Sequence, residues 1–173
     1  MDLYREAVIS EDQKYRYTLY REWREDPFED CRVLNFVMLN PSTADATKED
    51  PTIRKCIGFA KLGNFNAIRV VNLFAFRATD PKDLQKEYVN GGDVIGPQNN
   101  AYVRELPPEE TVCVAWGASF QNETFIRRRV RETIILLNRK LWCLGKTKDG
   151  HPKHPVMLGY GPLTEFQEKG NDA

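Results

Sequence analysis

The chain has 173 residues, 41% of them hydrophobic, which predicts one domain that buries a core without disulfide or metal staples. Its 25 Lys and Arg residues balance 25 Asp and Glu residues, so the formal net charge is zero. A zero balance argues against a basic coat over the whole surface, a polybasic membrane anchor and an acidic tail.

The cysteines and histidines do not have the spacing of a metal site. Four cysteines lie far apart without a CxxC pair, and the sequence holds only two histidines. We therefore expect no zinc site of the usual spacing and no cofactor, with the cysteines as buried thiols in a reducing compartment. The N-terminus is charged from its second residue, and no apolar stretch approaches the roughly 18 residues of a membrane span. These features predict a soluble, cytoplasmic protein.

The first predicted element lies near the N-terminus. Residues 14–23 alternate apolar or aromatic side chains (Tyr15, Tyr17, Leu19) with polar ones. This period of two predicts a half-exposed strand near a sheet edge. We expect residues 1–30 to form a strand or hairpin extension that packs on a single α/β domain spanning residues 1–173.

Four later segments are short apolar runs that stop at turn residues. Such runs predict buried strands, each with its C-terminal end opening into a loop. The four runs are 33–39, 67–76, 111–116 and 141–144. With helices between them, they predict a three-layer α/β/α sandwich around a central, mainly parallel four-stranded sheet.

Two helical segments lie between these runs. The first spans Pro51–Leu62, with a start signal at Asp50 and a stop at Gly63. The second spans 122–140, with one apolar face. Its other face carries an arginine cluster: Arg127, Arg128, Arg129 and Arg131. A solvated helix face is the default interpretation of this cluster, and contact with phosphate is the alternative.

In open α/β sheets, ligands bind outside the carboxyl ends of the strands, so the loops there are the candidate site. The loop after the strand at 33–39 is rich in polar and turn-forming residues: Asn40, Pro41, Ser42, Thr43, Ala44 and Asp45. Asn40 is suited to position a water or bind a base edge, and the two hydroxyls to bind phosphate or sugar. The alternative is a turn that only caps the following helix.

The other strand exits add further candidates. Asn72 interrupts an apolar run, so its amide either bridges to a neighbouring loop or binds a ligand with donor and acceptor groups, such as a nucleobase. Trp116 and Gly117 end the third run. The loop 145–157 contains Lys146 and both histidines, His151 and His154, each followed by proline. A histidine held at a strand exit can act as an acid or base, or donate a hydrogen bond to a developing anion.

Five segments together resemble the bacterial and phage domain-of-unknown-function 1643 family, over nearly the whole chain: MLNPSTAD, DPTIRKCIGFAKLGNF, VVNLFAFRATDP, AWG and TKDGHPKHP. That family supplies no established activity.

The strand exits also resemble, more distantly, those of the uracil-DNA glycosylase superfamily. The similar motifs, in order, are Asn40-Pro41, Val70-Val71-Asn72 with Arg77 downstream, Ala115-Trp116-Gly117 with Gln121, and His151-Pro152 or His154-Pro155. The resemblance implies that Asn40 positions the attacking water, Asn72 binds the flipped base and a loop histidine stabilises the departing base. It thus implies a DNA glycosylase-like hydrolase that cleaves the N-glycosidic bond of a modified or damaged base.

Residues 43–50 lack the aromatic residue that this superfamily usually places there. Two alternatives therefore stay open: a non-catalytic nucleotide or nucleic-acid binding module, and a hydrolase of free nucleosides or nucleotides. The candidate catalytic residues are Asn40, His151 and His154. The candidate substrate-binding residues are Pro41, Ser42, Thr43, Asp45, Asn72, Arg77, Trp116, Gly117 and Lys146.

The neutral net charge conceals an uneven distribution. Between Thr111 and Tyr160 there are nine Lys and Arg residues against three acids, so this segment carries +6 and the remainder −6. The positive segment includes the histidine loop. The distribution predicts one nucleic-acid or nucleotide binding face.

Overall fold

The structure is a computed structural model that describes residues 4–26, 28–42, 44, 47, 50–119 and 122–168. Within these residues there are seven strands: β1 Tyr4–Ile9, β2 Arg16–Glu22, β3 Val33–Met38, β4 Ala67–Asn72, β5 Thr111–Val114, β6 Leu141–Cys143 and β7 Thr164–Phe166. The same residues form four α-helices: α1 Pro51–Leu62, α2 Pro81–Val89, α3 Asn99–Arg104 and α4 Thr124–Leu137. A short 3₁₀ turn spans Pro155–Met157.

The strands form one mixed sheet in the order β1-β2-β4-β3-β5-β6-β7. The inner pairs β4–β3, β3–β5 and β5–β6 are parallel. The outer pairs β1–β2, β2–β4 and β6–β7 are antiparallel. The predicted mixed α/β fold is confirmed, but the predicted four-stranded, mainly parallel sheet is not: the sheet has seven strands, and three of its six strand pairings are antiparallel. The edge strands do not stand out as apolar runs, because β1 contains Arg5 and Glu6 and has no buried residue, and β7 is only three residues long.

Strand β2 is more buried than its alternating pattern predicts. It lies between β1 and β4, because β1 covers the edge on which we expected β2 to lie. Tyr17 and Leu19 are buried, and so is Arg21, which lies on the same face of the strand. On the other face Arg16 is buried, whereas Thr18, Tyr20 and Glu22 are half-buried. The predicted alternation is therefore confirmed, in a strand that lies next to the edge of the sheet and whose polar face is half-buried apart from Arg16.

Helices cover both faces of the sheet, because side chains of the central strands alternate between two cores. On one face, α1 packs Ile53 and Phe59 against Leu34, Phe36 and Ile68. On the other face, residues of α2, α3 and α4 pack against the opposite side chains of the same strands. Each fully buried Leu, Ile or Phe side chain contributes about 1.5–3 kcal/mol.

Helix α1 begins and ends where the sequence predicts. The Asp50 side chain accepts a hydrogen bond from the Ile53 N–H at 2.9 Å, and the Gly63 N–H donates to Phe59. Helix α4 is shorter than predicted and ends at Leu137, because Asn138 adopts a left-handed conformation with φ of 42°.

Two other predictions about exposure are corrected by the structure. Arg129 is buried, whereas Arg127, Arg128 and Arg131 are exposed, so the arginine cluster does not lie on one solvated face. Cys31 is also exposed, although the other three cysteines are buried as predicted.

Strand β4 ends at Asn72, four residues before the end of its apolar run. The next two N–H groups leave the ladder and donate to carbonyls at the end of the neighbouring strand. Leu73 donates to Met38 at 2.8 Å and Phe74 to Leu39 at 3.0 Å. The exits of β3 and β4 are thereby held side by side. None of the helices in the described residues is long and apolar enough to cross a membrane.

Candidate functional site

A cavity of about 560 Å³ opens at the carboxyl ends of β3, β4 and β5. Six of the predicted site residues line it: Asn40, Ser42, Asn72, Trp116, Gly117 and His154. It is also lined by residues that the sequence patterns did not single out, among them Arg16, Asp50, Ser119 and Lys153. The topology brings these loops together because the parallel strands all point toward the same edge.

The Asn40 side chain is held in one orientation. Its Nδ2 donates to the carbonyls of Pro41 at 3.1 Å and Ala78 at 2.9 Å. Because carbonyl oxygens only accept hydrogen bonds, these contacts fix which end of the amide is nitrogen. Both of its N–H groups are thus engaged, and Oδ1 accepts no hydrogen bond from any described residue.

Asn72 is almost completely buried, with 1% of its surface exposed, yet its amide is unpaired. Neither Nδ2 nor Oδ1 has a hydrogen-bond partner among the described residues. Buried amides are normally paired, because leaving one unpaired costs about 1–3 kcal/mol. Asn72 therefore contributes an unpaired donor and an unpaired acceptor to the wall of the cavity.

The backbone that carries Asn72 is fixed from the opposite side of the sheet. Asn99 Nδ2 donates to the carbonyls of Asn72 at 3.0 Å and Leu73 at 3.2 Å. Arg129 Nε donates to the Leu73 carbonyl at 2.6 Å. We call Asn99 and Arg129 the carbonyl clamp. Burial lowers the pKa of the Arg129 guanidinium from its ordinary value.

His154 lies at the N-terminal end of the 3₁₀ turn, where its ring accepts a hydrogen bond. The Val156 N–H donates to Nδ1 of His154 at 3.4 Å, so Nδ1 carries a lone pair and the ring proton is on Nε2. Burial lowers the pKa of His154, although the nearby Asp50 carboxylate acts in the opposite direction. The neutral imidazole is therefore the favoured form, with its Nε2–H as a hydrogen-bond donor.

Gly117 makes close contact with His154 possible. Its φ is +78°, a left-handed conformation that favours glycine, and a Cβ at this position would lie 3.2 Å from Cβ of His154. The loop after β5 and the histidine loop thus pack directly against one another. A larger residue at position 117 would displace His154.

Asp50 brings a carboxylate to the cavity, but both of its oxygens are engaged. Oδ1 accepts from the Ile53 N–H at 2.9 Å, and Oδ2 accepts from the Ser42 hydroxyl at 2.9 Å. Ser42 and Asp50 therefore support the start of α1, as the capping alternative predicts, while both still line the cavity.

Trp116 forms part of the cavity wall and is 2% exposed. Its ring packs edge-to-face on Phe166, with centroids 5.8 Å apart. Nε1 has no hydrogen-bond partner among the described residues.

Four predicted residues lie outside the cavity lining, and each has another place in the structure. Pro41 is buried beside it, and the Arg77 Nη1 donates to the Gln13 carbonyl at 3.2 Å. Lys146 is exposed and forms an isolated bridge with Pro152. His151 lines a second cavity of about 540 Å³ beside α4.

This second cavity contains balanced charges. Its lining includes three exposed arginines and three acids: Arg127, Arg128, Arg131, Glu132, Asp149 and Glu168. Arg128 pairs with Glu132 at 2.8 Å. The remaining predicted residues Thr43 and Asp45, and also Gln121, lie outside the residues that the structure describes.

Three cavity-lining residues that were not predicted have only weak signals in the sequence. Arg16 sits in the alternating segment at a position expected to be polar and exposed, but it is 3% exposed and donates to the Ala44 carbonyl at 2.7 Å. Asp50 was recognised only as a helix start. Lys153 is adjacent to His154 in sequence, and that adjacency was the signal available for it.

The site combines three chemical functions within one cavity. Asn40 offers an acceptor, Asn72 offers a donor and an acceptor, and neutral His154 offers a donor. Such a set suits recognition of a planar polar group and stabilisation of negative charge that develops on it. Among the described residues, no group of three or more His, Cys, Asp or Glu is arranged to hold a metal ion.

Comparison with known proteins gives one match. No curated protein and no solved structure matches the chain. A family model described as "Protein of unknown function (DUF1643)" matches residues 16–156. The matched region begins at β2 and includes every residue of the cavity lining named above. The chain therefore belongs to the DUF1643 family.

Proposed function

We propose that the protein is a DNA glycosylase-like hydrolase that cleaves the N-glycosidic bond of a modified or damaged base. The observation that carries the proposal is the buried, unpaired amide of Asn72 in the wall of the cavity. A base with adjacent donor and acceptor groups would pair both ends of this amide. A base must leave a duplex stack before such a pocket can hold it.

Asn40 is suited to position the attacking water. Its two N–H groups are held by carbonyls, so Oδ1 can accept a hydrogen bond from a water without rotation of the amide. In the reaction the water oxygen bonds to the anomeric carbon while the bond from that carbon to the base nitrogen breaks. The base leaves with the electron pair of that bond, and the water proton ends on the base or in solvent.

His154 is suited to stabilise the departing base. Its neutral ring would donate from Nε2 to the negative charge that develops on the base, and a fixed donor of this kind contributes about 100-fold to the rate. The resemblance of the strand exits to the uracil-DNA glycosylase superfamily supports the same roles. So does the place of the cavity, at the carboxyl ends of three parallel strands.

The test measures release of free base by chromatography. The purified chain would be incubated with uracil-containing, mismatched and base-modified oligonucleotides and with modified phage DNA. We expect release from at least one of these substrates, and a loss of about 100-fold in Asn72→Leu, Asn40→Ala and His154→Gln. The proposal is wrong if a known glycosylase releases base from these substrates and the purified chain does not.

A second candidate is a module that binds a nucleotide or nucleic acid without cleaving it. It is favoured by the side chain at position 40, because an amide cannot take a proton from water as a carboxylate does. Binding that depends on Asn72 but is unchanged in Asn40→Ala, with no turnover by either form, would support this candidate over the enzyme.

A further inference from the structure

We infer that the cavity holds a phosphate group of the same nucleotide whose base Asn72 binds, at a corner formed by Ala118, Ser119 and Lys153. We call these three residues the phosphate corner. The inference rests on the proposed function and deepens it. It names a phosphorylated nucleotide unit as the ligand, in place of a free base or nucleoside.

Lys153 supplies a positive charge to the cavity wall. Its backbone N–H donates to the Gly145 carbonyl at 2.9 Å, which ties Lys153 to the first residue of the histidine loop, residues 145–157. Gly145 has a φ of +122°, and a Cβ there would lie 3.8 Å from Cδ of Lys153, so the lysine stem runs alongside this glycine. Lys153 is exposed and forms no ion pair within the described part of the chain.

The loop after β5 supplies hydrogen-bond donors beside this lysine. Gly117 contacts His154, the neighbour of Lys153, which brings the two loops together. Ala118 and Ser119 are exposed, and both line the cavity. Their backbone N–H groups donate no hydrogen bond to any described residue. Two N–H groups, one hydroxyl and one ammonium are a donor set that suits phosphate oxygens.

The carboxylate of Asp50 also lines the cavity, but it forms no ion pair with Lys153. Asp50 is held at the start of α1 by the Ser42 hydroxyl and the Ile53 N–H, and Lys153 is not paired with it. The volume also fits a larger ligand than a base. About 560 Å³ lies within the roughly 300–1,000 Å³ range of small-molecule sites and leaves room for sugar and phosphate.

The second cavity is the weaker place for a phosphate. Its three exposed arginines face three acids, and one of them is already paired with Glu132. In the phosphate corner, no acid among the described residues is paired with Lys153. We therefore assign phosphate recognition to Lys153 rather than to the arginines of α4.

The experiment compares binding of nucleosides and their monophosphates by isothermal titration calorimetry. The probes are the nucleosides of adenine, cytosine, guanine, thymine and uracil, their 5′- and 3′-monophosphates, and inorganic phosphate. For the wild-type chain we expect at least one monophosphate to bind about tenfold more tightly than its nucleoside, since charge-assisted hydrogen bonds to phosphate are stronger than neutral ones. Added salt should reduce this preference.

Two single substitutions test whether Lys153 causes the preference for the monophosphate. Lys153→Ala should remove the preference for the monophosphate and leave nucleoside binding within about twofold. Lys148→Ala is the matched control, because it removes the same charge from an exposed position of the same loop outside both cavities. It should retain the preference. Thermal unfolding of each variant would show that the chain remains folded.

The outcomes separate this inference from the proposed function. Equal binding of nucleosides and monophosphates, or a preference that survives in Lys153→Ala, overturns the inference and leaves base recognition by Asn72 intact. Monophosphate binding that is lost in Lys153→Ala but unchanged in Asn72→Leu overturns the inference that one nucleotide contacts both residues, and it counts against the proposed function as well. The absence of binding to every probe overturns the inference.

Discussion

Two buried asparagines on neighbouring strands have opposite surroundings. Asn35 on β3 is 0% exposed and fully paired: its Nδ2 donates to Glu110 at 2.9 Å and to the Thr111 carbonyl at 3.2 Å, and its Oδ1 accepts from Arg69 at 2.9 Å. Asn72 on β4 is 1% exposed and has no partner for its amide among the described residues. The pairing of the amide, rather than its burial, therefore distinguishes the structural Asn35 from Asn72, for which we propose a ligand.

The position of each asparagine along its strand explains the difference. Asn35 lies in the first half of β3, near the amino end of β5, where Arg69 and Glu110 form an ion pair at 2.5 Å. Asn72 is the last residue of β4, at the edge of the sheet where the loops diverge. Polar side chains near the amino end of β3 are hydrogen-bonded to one another, whereas those at the carboxyl ends of β3 and β4 line a cavity.

The largest expected effect comes from removing the unpaired amide. Asn72→Leu should lower base release, or nucleotide binding, by about 100-fold. It should leave the free energy of unfolding unchanged or slightly higher, because a buried unsatisfied polar group is replaced by an apolar one. Activity assays and urea denaturation would measure the two effects. A loss of stability in this variant would contradict the comparison.

The second prediction concerns the paired asparagine. Asn35→Ala should lower the free energy of unfolding by about 2 kcal/mol, because it leaves buried donors and acceptors of Arg69, Glu110 and Thr111 less completely paired. Urea denaturation would measure this loss. Nucleotide binding should be unchanged when measured under conditions in which the variant is folded. A specific loss of binding would show that the two ends of the sheet are not independent.

The third prediction tests how strictly His154 must be placed. Gly117→Ala should cost about 1–2 kcal/mol of stability, because alanine disfavours the left-handed backbone. It should also weaken function, because the new Cβ would lie 3.2 Å from Cβ of His154. Thermal unfolding and activity assays would measure both. Gly91→Ala is a suitable control, since Gly91 also has a positive φ but no atom lies within 4 Å of a Cβ built there.

The smallest expected effect is on the pH dependence of stability. The pKa of His154 is lowered from its ordinary value of 6.5, so the unfolded chain binds a proton more readily than the folded chain below this pH. The contribution of His154 to stability is therefore present above about pH 6.5 and is lost as the pH falls toward the lowered value. His154→Gln should lose less stability than the wild type between about pH 7.5 and about pH 5.5. Thermal denaturation across this range would measure the difference, and an identical pH response of the two proteins would contradict it.

Local sequence patterns predicted the parts of the fold that local chemistry determines. Helix α1 has its cap, its proline and its terminal glycine in the sequence, and both ends were predicted correctly. Strand β7 was missed because three residues, two of them exposed, carry no detectable pattern. The exposure of Arg16 was mispredicted because its side chain bonds the Ala44 carbonyl in a loop 28 residues away, a contact that the alternating pattern does not identify.

The candidate site could be predicted only as a set of strand exits. The rule for α/β sheets placed Asn40 and Asn72 at one edge, but it could not show that their amides differ in pairing. Nor could it choose between the two histidines. That choice depends on the contact between Gly117 and His154, which joins residues 37 positions apart in the chain.

The carbonyl clamp has a consequence for selectivity. Asn99 and Arg129 bond the consecutive main-chain carbonyls of Asn72 and Leu73, so the backbone that carries the Asn72 amide is held in place. Under the proposed function, a close analogue that lacks one of the two matching groups would leave half of a buried amide unpaired, at a cost of about 1–3 kcal/mol. Such a site would select its ligand mainly by excluding close analogues, and it would do so before any bond is broken.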